Sequence, residues 1–241
     1  MIKPEEAREQ ALSFLSQQGL EYGFIENASL KIDDAQELIR LITERNPQKI
    51  LEIGTFVGVS SAVLGLCVPQ AEIVCIDSDL PVEAQNFLCL RKFNISNKST
   101  NLDFVAKLIN YLGIAERFTL HRGFFSCCFP EEEDRQKLSN QKLSNNGIEI
   151  QTSEIIGQRI CEEYGPFEVV FLDADHRKAA VKSDLELLFP YVVSGGIIIL
   201  HDVGSDYWGE QVRSGVQDFL EQYPESKFHL RGEIGFIHKF A

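Results

Sequence analysis

The sequence predicts an α/β protein: a doubly wound, mostly parallel sheet with an antiparallel C-terminal edge. Three observations carry this. Five short runs rich in Val, Ile, Leu and Phe alternate with segments of helical period. Those runs are mostly apolar, with little polar alternation, as expected of strands covered on both faces. The last two strand-like runs, Lys227–Leu230 and Ile234–Lys239, follow one another with no helix between them and read as a hairpin at the sheet edge. A chain of 241 residues suits a single domain spanning 1–241.

The elements follow in order. Glu5–Gln18 sets Ala7, Ala11, Leu12, Phe14 and Leu15 at helical spacing, and Ile32–Arg45 does so with Ala35, Leu38, Ile39, Leu41 and Ile42. Asp33 or Asp34 is the expected N-cap of the second helix, and Gly19–Leu30 between the two reads as a loop. These helices occupy residues 1–45. Lys49–Ile53 is the first strand, Ser60–Cys67 a small-residue helix, and Ile73–Ile76 a second strand closed by Asp77. Leu102–Leu112 is a helix and Phe118–His121 a strand. Phe167–Leu172 and Gly196–Leu200 are two more strands, separated by the helix Ala179–Phe189. Glu210–Gln222 is the final helix. Two segments exceed what the alternation requires: Leu80–Asn101, and Ser126–Gly165 (126–165), acidic at Glu131–Asp134 and carrying QKLSN twice, at Gln136–Asn140 and Gln141–Asn145. A stretch as long as the second reads as a lid, a mobile insertion or a duplicated surface segment.

Composition excludes several classes. Hydrophobic residues at 44% and charged residues at 24% are ordinary globular usage, which rules out a disordered or collagen-like chain. The net charge of −13 repels phosphate backbones and anionic lipids, so neither nucleic acid nor a membrane is expected as partner. No apolar run approaches bilayer length and the charged N-terminus lacks a leader-like core, so a soluble, cytoplasmic protein is expected. The six cysteines form no C-x-x-C pair and no zinc spacing with the histidines; Cys127–Cys128 reads as two reduced thiols.

Chemistry concentrates at strand ends. Glu52-Ile53-Gly54-Thr55-Phe56-Val57-Gly58 closes the first strand and opens a helix. Gly54 permits the tight turn, Gly58 permits close backbone approach, and the helix start offers N–H groups to a carboxylate or phosphate. Glu52 would repel a pyrophosphate and attract an ammonium. Asp77 stands about twenty residues further on, where such folds bond a ribose diol. Strand four emerges into Asp173-Ala174-Asp175-His176, and strand five into His201-Asp202. Asp173 and Asp202 are expected to project into one crevice, a donor set suited to a hard divalent cation. The plainer reading makes Asp175 a helix cap and His201 a packed side chain.

The E-x-G-x-x-x-G loop, Asp77, FLDADH and GGIIILHDV together resemble class I S-adenosylmethionine-dependent methyltransferases. They are most similar to the small-molecule O-methyltransferase branch that includes catechol and caffeoyl-CoA O-methyltransferases and the DGDH/HDV-type enzymes. The resemblance spans roughly Ile32–Val203 outside the two long segments. It implies a Rossmann-like seven-stranded sheet whose last pair is antiparallel, and S-adenosylmethionine as cofactor. It implies that Glu52, Gly54, Thr55, Gly58 and Ser60 surround the methionine part, that Asp77 meets the ribose, and that Gly123 and Phe124 wall the adenine. Asp173 is implied as both cofactor and metal contact, with Asp202 as second ligand to Mg2+ or another divalent cation. Two departures stand out. Val203 replaces the amide or acid of the catechol branch, leaving His201 as the substitute ligand, and His176 stands where that branch has its lysine base.

The expected reaction is methyl transfer to a hydroxyl oxygen of a small molecule, with His176 and Asp173 as catalytic groups. Phe124, Phe125, Tyr207 and Trp208 are the expected pocket walls, and a homodimer through the N-terminal helices is compatible. The rivals are a nicotinamide-dependent oxidoreductase, which would need a third glycine in the first loop, and a non-catalytic nucleotide-binding module.

Overall fold

The computed structural model describes residues 2–79, 99–126, 143–145, 148–150 and 154–240. The helices are α1 (Pro4–Gln17), α2 (Tyr22–Asn27), α3 (Ile32–Thr43), α4 (Val59–Cys67), α5 (Asn101–Tyr111), α6 (Gly157–Tyr164), α7 (Lys178–Leu188) and α8 (Gly209–Leu220). The strands are β1 (Lys49–Ile53), β2 (Glu72–Asp77), β3 (Phe118–Arg122), β4 (Leu143–Asn145), β5 (Ile148–Ile150), β6 (Phe167–Leu172), β7 (Val192–Leu200), β8 (Lys227–Arg231) and β9 (Ile234–His238).

Seven strands form one sheet in the order β3-β2-β1-β6-β7-β9-β8. The first five in that order are parallel, and β9 pairs antiparallel with both β7 and β8. The order reverses at β1, so a crevice opens beyond the carboxyl ends of β1 and β6, where open α/β sheets bind ligands. Strand alternation sorts the core into two layers. Leu51, Ile53, Val170, Leu172, Ile198 and Leu200 pack under α6, α7 and α8. Ile50, Ile73, Val169, Phe171, Ile197 and Ile199 pack under α3 and α4. The N-terminal helices belong to this second side: Leu12 and Leu15 of α1 and Ile25 of α2 cluster with Val59 and Ala62 of α4.

Three sequence expectations change. Gly19–Leu30 is not all loop, because Phe24 and Ile25 bury themselves in α2, a helix too short to show a period. The N-cap of α3 is Lys31 and makes no side-chain cap; Asp34 lies in the first turn, buried. Residues 157–164 of the long second segment form α6, whose Ile160 and Cys161 belong to the core, so that part is structural. Earlier in that segment β4 and β5 form a two-stranded antiparallel hairpin. The acidic run at 131–134, Cys127–Cys128, Cys89, the first QKLSN copy with the start of the second, and residues 80–98 lie outside the described residues. Cys67, Cys75 and Cys161 are free thiols. Among the described residues no helix is long and apolar enough to cross a membrane.

Candidate active site

The loop after β1 is built by left-handed backbone at three positions: Gly54 (φ +85°), Phe56 (φ 48°) and Gly58 (φ +96°), the last serving as N-cap of α4. Gly54 is required twice over. Besides its positive φ, a Cβ there would overlap the carbonyl oxygen of Asp173, so the ends of β1 and β6 touch backbone to backbone. The Asp173 N–H, in turn, donates to the Ile53 carbonyl at 2.8 Å.

Glu52 faces α4 rather than the crevice. It is 0% exposed, and its carboxylate accepts hydrogen bonds from Ser60 Oγ (2.6 Å), Ser61 Oγ (2.7 Å) and Cys75 Sγ (3.1 Å). Burial pushes its pKa up to about 7 against the pull of the two serines. In this arrangement Glu52 anchors the start of α4, and Ser60 spends its hydroxyl on Glu52.

Asp77 is similarly engaged. Its Oδ2 accepts from the backbone N–H groups of Thr55 and Phe56, each at 2.9 Å, and from Thr55 Oγ1 at 3.2 Å. Its Oδ1 accepts from Asp79 N (2.7 Å) and Asn101 Nδ2 (3.0 Å). Burial raises its pKa while these donors oppose the shift. One carboxylate therefore ties the end of β2 to the first loop and to the start of α5. Asp79 does comparable work: Leu102 N donates to its Oδ1 at 2.8 Å, and Arg122 Nε lies 2.5 Å from its Oδ2. Gly123 continues β3 past Asp77, donating to the Asp77 carbonyl at 2.8 Å, and Phe124 N bonds the Glu154 carbonyl at 2.8 Å. Phe125 is 5% exposed and sits in the core, so it walls nothing at the rim.

At the ends of β6 and β7 the ionisable groups converge. His176 Nε2 lies 3.3 Å from Asp173 Oδ1 and 3.0 Å from Asp202 Oδ2. His201 Nδ1 lies 3.2 Å from Asp173 Oδ2 and 3.7 Å from Asp202 Oδ2. Behind the ring, His201 Nε2 is 3.5 Å from Asp34 Oδ2. Asp202 takes a left-handed backbone (φ 57°), which turns its side chain back toward the cluster. Burial alone would lower the His176 pKa, but Asp173 and Asp202 outweigh it and push it up to about 9. His201 is raised for the same reason. Asp173, which burial would raise, is held well below the carboxylate range by His201 and His176. Trp208 stacks on His176 with ring centroids 5.4 Å apart, and the exposed Tyr207 meets Trp208 edge-on at 4.6 Å.

The cluster fits a divalent cation. Asp173, Asp202 and His201 each bring one donor atom within 4.8 Å of the others. His176 Nε2 is buried and unaligned for any hydrogen bond among the described residues. Asp175 instead pairs with Arg177, which donates its backbone N–H to Asp175 Oδ1 at 3.0 Å. Val203 is 0% exposed and belongs to the core. Sequence reasoning missed Asp34, Ser61 and Cys75; only Asp34 carried a signal, as an acid at a helix start.

Similar proteins bear on this geometry. L-olivosyl-oleandolide 3-O-methyltransferase of Streptomyces antibioticus is 33% identical over 70 residues, 29% of this chain and 18% of that protein. The match thus spans less than a fifth of that relative. An O-methyltransferase from Bacillus cereus solved with SAH superposes with a TM-score of 0.58 at 17% identity, over 97% of this chain and 89% of that one. MycE methyltransferase of the mycinamycin biosynthetic pathway, solved with Mg, SAH and mycinamycin VI, gives 0.52 at 17% identity, over 88% of this chain and 49% of that one. These two likenesses show a Rossmann-like fold. A family described as the methyltransferase domain matches residues 51–203, more than half of the sequence, and the chain belongs to that family.

Proposed function

We propose that the protein transfers a methyl group from S-adenosylmethionine to a hydroxyl oxygen of a small molecule in the crevice beyond β1 and β6. The observation that carries this reading is the convergence of Asp173, His176, His201 and Asp202 directly against the Gly54 loop. The relative from Streptomyces is named an O-methyltransferase, and both structural relatives were solved with SAH, which supports the cofactor. Family membership leaves no reason to favour nicotinamide chemistry.

The loop Gly54–Gly58 and the open N-terminus of α4 hold the methionine end of the cofactor, whose carboxylate suits the unpaired first-turn N–H groups. Ser60 joins by turning its hydroxyl away from Glu52. Asp77 meets the ribose only by exchanging one of its present donors, so its first task is to set the loop. Gly123 and Phe124 flank the adenine end. The reaction breaks the sulfur–methyl bond as the carbon–oxygen bond forms. Since the donor is already activated, the chain mainly aligns sulfur, carbon and oxygen and keeps water away. Trp208 and Tyr207 form the acceptor wall, and His176 is the group that receives the hydroxyl proton. An imidazolium cannot accept a proton, so this role requires another positive charge beside Asp173 and Asp202. A divalent cation held by Asp173, Asp202 and His201 would supply that charge and polarise the acceptor oxygen.

The test is calorimetric titration with S-adenosylmethionine, followed by mass spectrometry of phenol, sugar and polyketide alcohols incubated with protein and cofactor. Binding, with gain of one methylene mass on an alcohol, is expected. Absence of cofactor binding would overturn the proposal.

A further inference from the structure

His201 is held between carboxylates on both sides. Its Nδ1 looks into the crevice at Asp173 and Asp202. Its opposite nitrogen, Nε2, looks at Asp34 Oδ2 and is buried without an aligned hydrogen bond among the described residues. Both residues are more than nine-tenths buried: Asp34 is 5% and His201 7% exposed. Glu233 stands beside this pair, with one carboxylate oxygen within 4.8 Å of both, but is engaged by Lys31, whose Nζ lies 2.6 Å from Glu233 Oε1. Asp34 is therefore the carboxylate left to face His201 from behind.

Resting on the cation site in the reading above, we infer that Asp34 is a positioning residue for His201. It fixes the ring so that the crevice presents two carboxylates and one imidazole nitrogen, a donor set that prefers a first-row transition ion such as Mn2+ to Mg2+. A histidine bound to metal generally gives its other N–H to a carboxylate, which selects the tautomer and the ring orientation. With the proton on Nε2 toward Asp34, the Nδ1 lone pair faces the crevice. Magnesium demands near-octahedral oxygen coordination and sheds water reluctantly, whereas imidazole binds transition ions well. Asp34 comes from the first turn of α3, so the N-terminal helices contribute to the selectivity of a site otherwise built from β6 and β7.

The experiment uses chelator-stripped full-length protein titrated with Mn2+ and Mg2+, with pulsed EPR of the Mn2+ complex and a parallel S-adenosylmethionine titration. Imidazole nitrogen coupling is expected in the wild-type spectrum and should vanish in His201→Asn, whose preference for Mn2+ over Mg2+ should fall at least about tenfold. Asp34→Asn should weaken Mn2+ binding by about 10–100-fold. The inference is overturned if wild-type protein binds no Mn2+, if its spectrum lacks nitrogen coupling, if His201→Asn keeps the wild-type preference, or if Asp34→Asn binds Mn2+ as wild type does. Retained S-adenosylmethionine binding in any of those cases confines the failure to the cation; loss of cofactor binding in wild-type protein defeats the underlying reading instead.

Discussion

Gly54 and Asp173 meet backbone to backbone, so the glycine loop after β1 and the first acidic group of the crevice are one mechanical unit. Gly54→Ala puts a Cβ into the Asp173 carbonyl at a φ of +85°. It should cost roughly 2–4 kcal/mol, from a strained dihedral plus a clash with immobile main chain. Urea denaturation checks this, and wild-type stability in the variant would refute the contact.

Asp77→Asn should loosen the same loop from the other side. An amide nitrogen in place of one carboxylate oxygen would face N–H donors instead of accepting from them. A loss of about 2–3 kcal/mol is expected from the broken buried bonds. S-adenosylmethionine affinity should drop with it, by more than about tenfold. Thermal melts and calorimetry read the two effects separately, and an unchanged affinity would remove Asp77 from loop setting.

Asp173→Asn should reduce methyl transfer by at least about a hundredfold. Circular dichroism should show a retained fold, because the Asp173 side chain lies at the rim, 22% exposed, and Asn matches its shape. Turnover close to wild type would exclude the acidic cluster from the chemistry.

Asp184, on α7, carries a prediction about pH. Burial, with Asp175 adding repulsion, pushes its pKa up to about 7 from an ordinary 3.8, while the Ser126 hydroxyl donates to it. A raised value in the folded state means that folding favours the protonated carboxyl. The native state is then best supported below about pH 4, loses support as pH rises toward 7, and levels off above. Asp184→Asn has no charge to bury. It should be more stable than wild type at pH 8 by on the order of 2 kcal/mol, with the gain shrinking toward zero near pH 4. Equal denaturation midpoints at pH 8 would contradict this.

Much of the fold was legible in the sequence because it rests on local pattern. The β1 loop reads from two glycines at fixed spacing, and the acidic rim reads from Asp173 and His201-Asp202 terminating apolar runs. What escaped depends on distance in the chain. Nothing near residue 34 announces that α3 folds back over the end of β7 to meet His201. Glu52 and Asp77 looked available because strand-end acids usually are. Whether their oxygens are already taken is decided by Ser60, Ser61 and Cys75 in one case, and by Thr55, Phe56 and Asn101 in the other. α2 escaped because six residues are too few to display a helical repeat.

Asp77 and Asp79 reach across to Asn101 and Leu102, so the chain leaves β2 and re-enters α5 at nearly the same point. A stretch fastened at both ends like this can lengthen or shorten at little entropic expense, since closure entropy grows only with the logarithm of length. The knot of hydrogen bonds through which Asp77 holds Thr55, Phe56 and Asn101 therefore keeps the loop after β1 in place whatever the length of chain that joins β2 to α5.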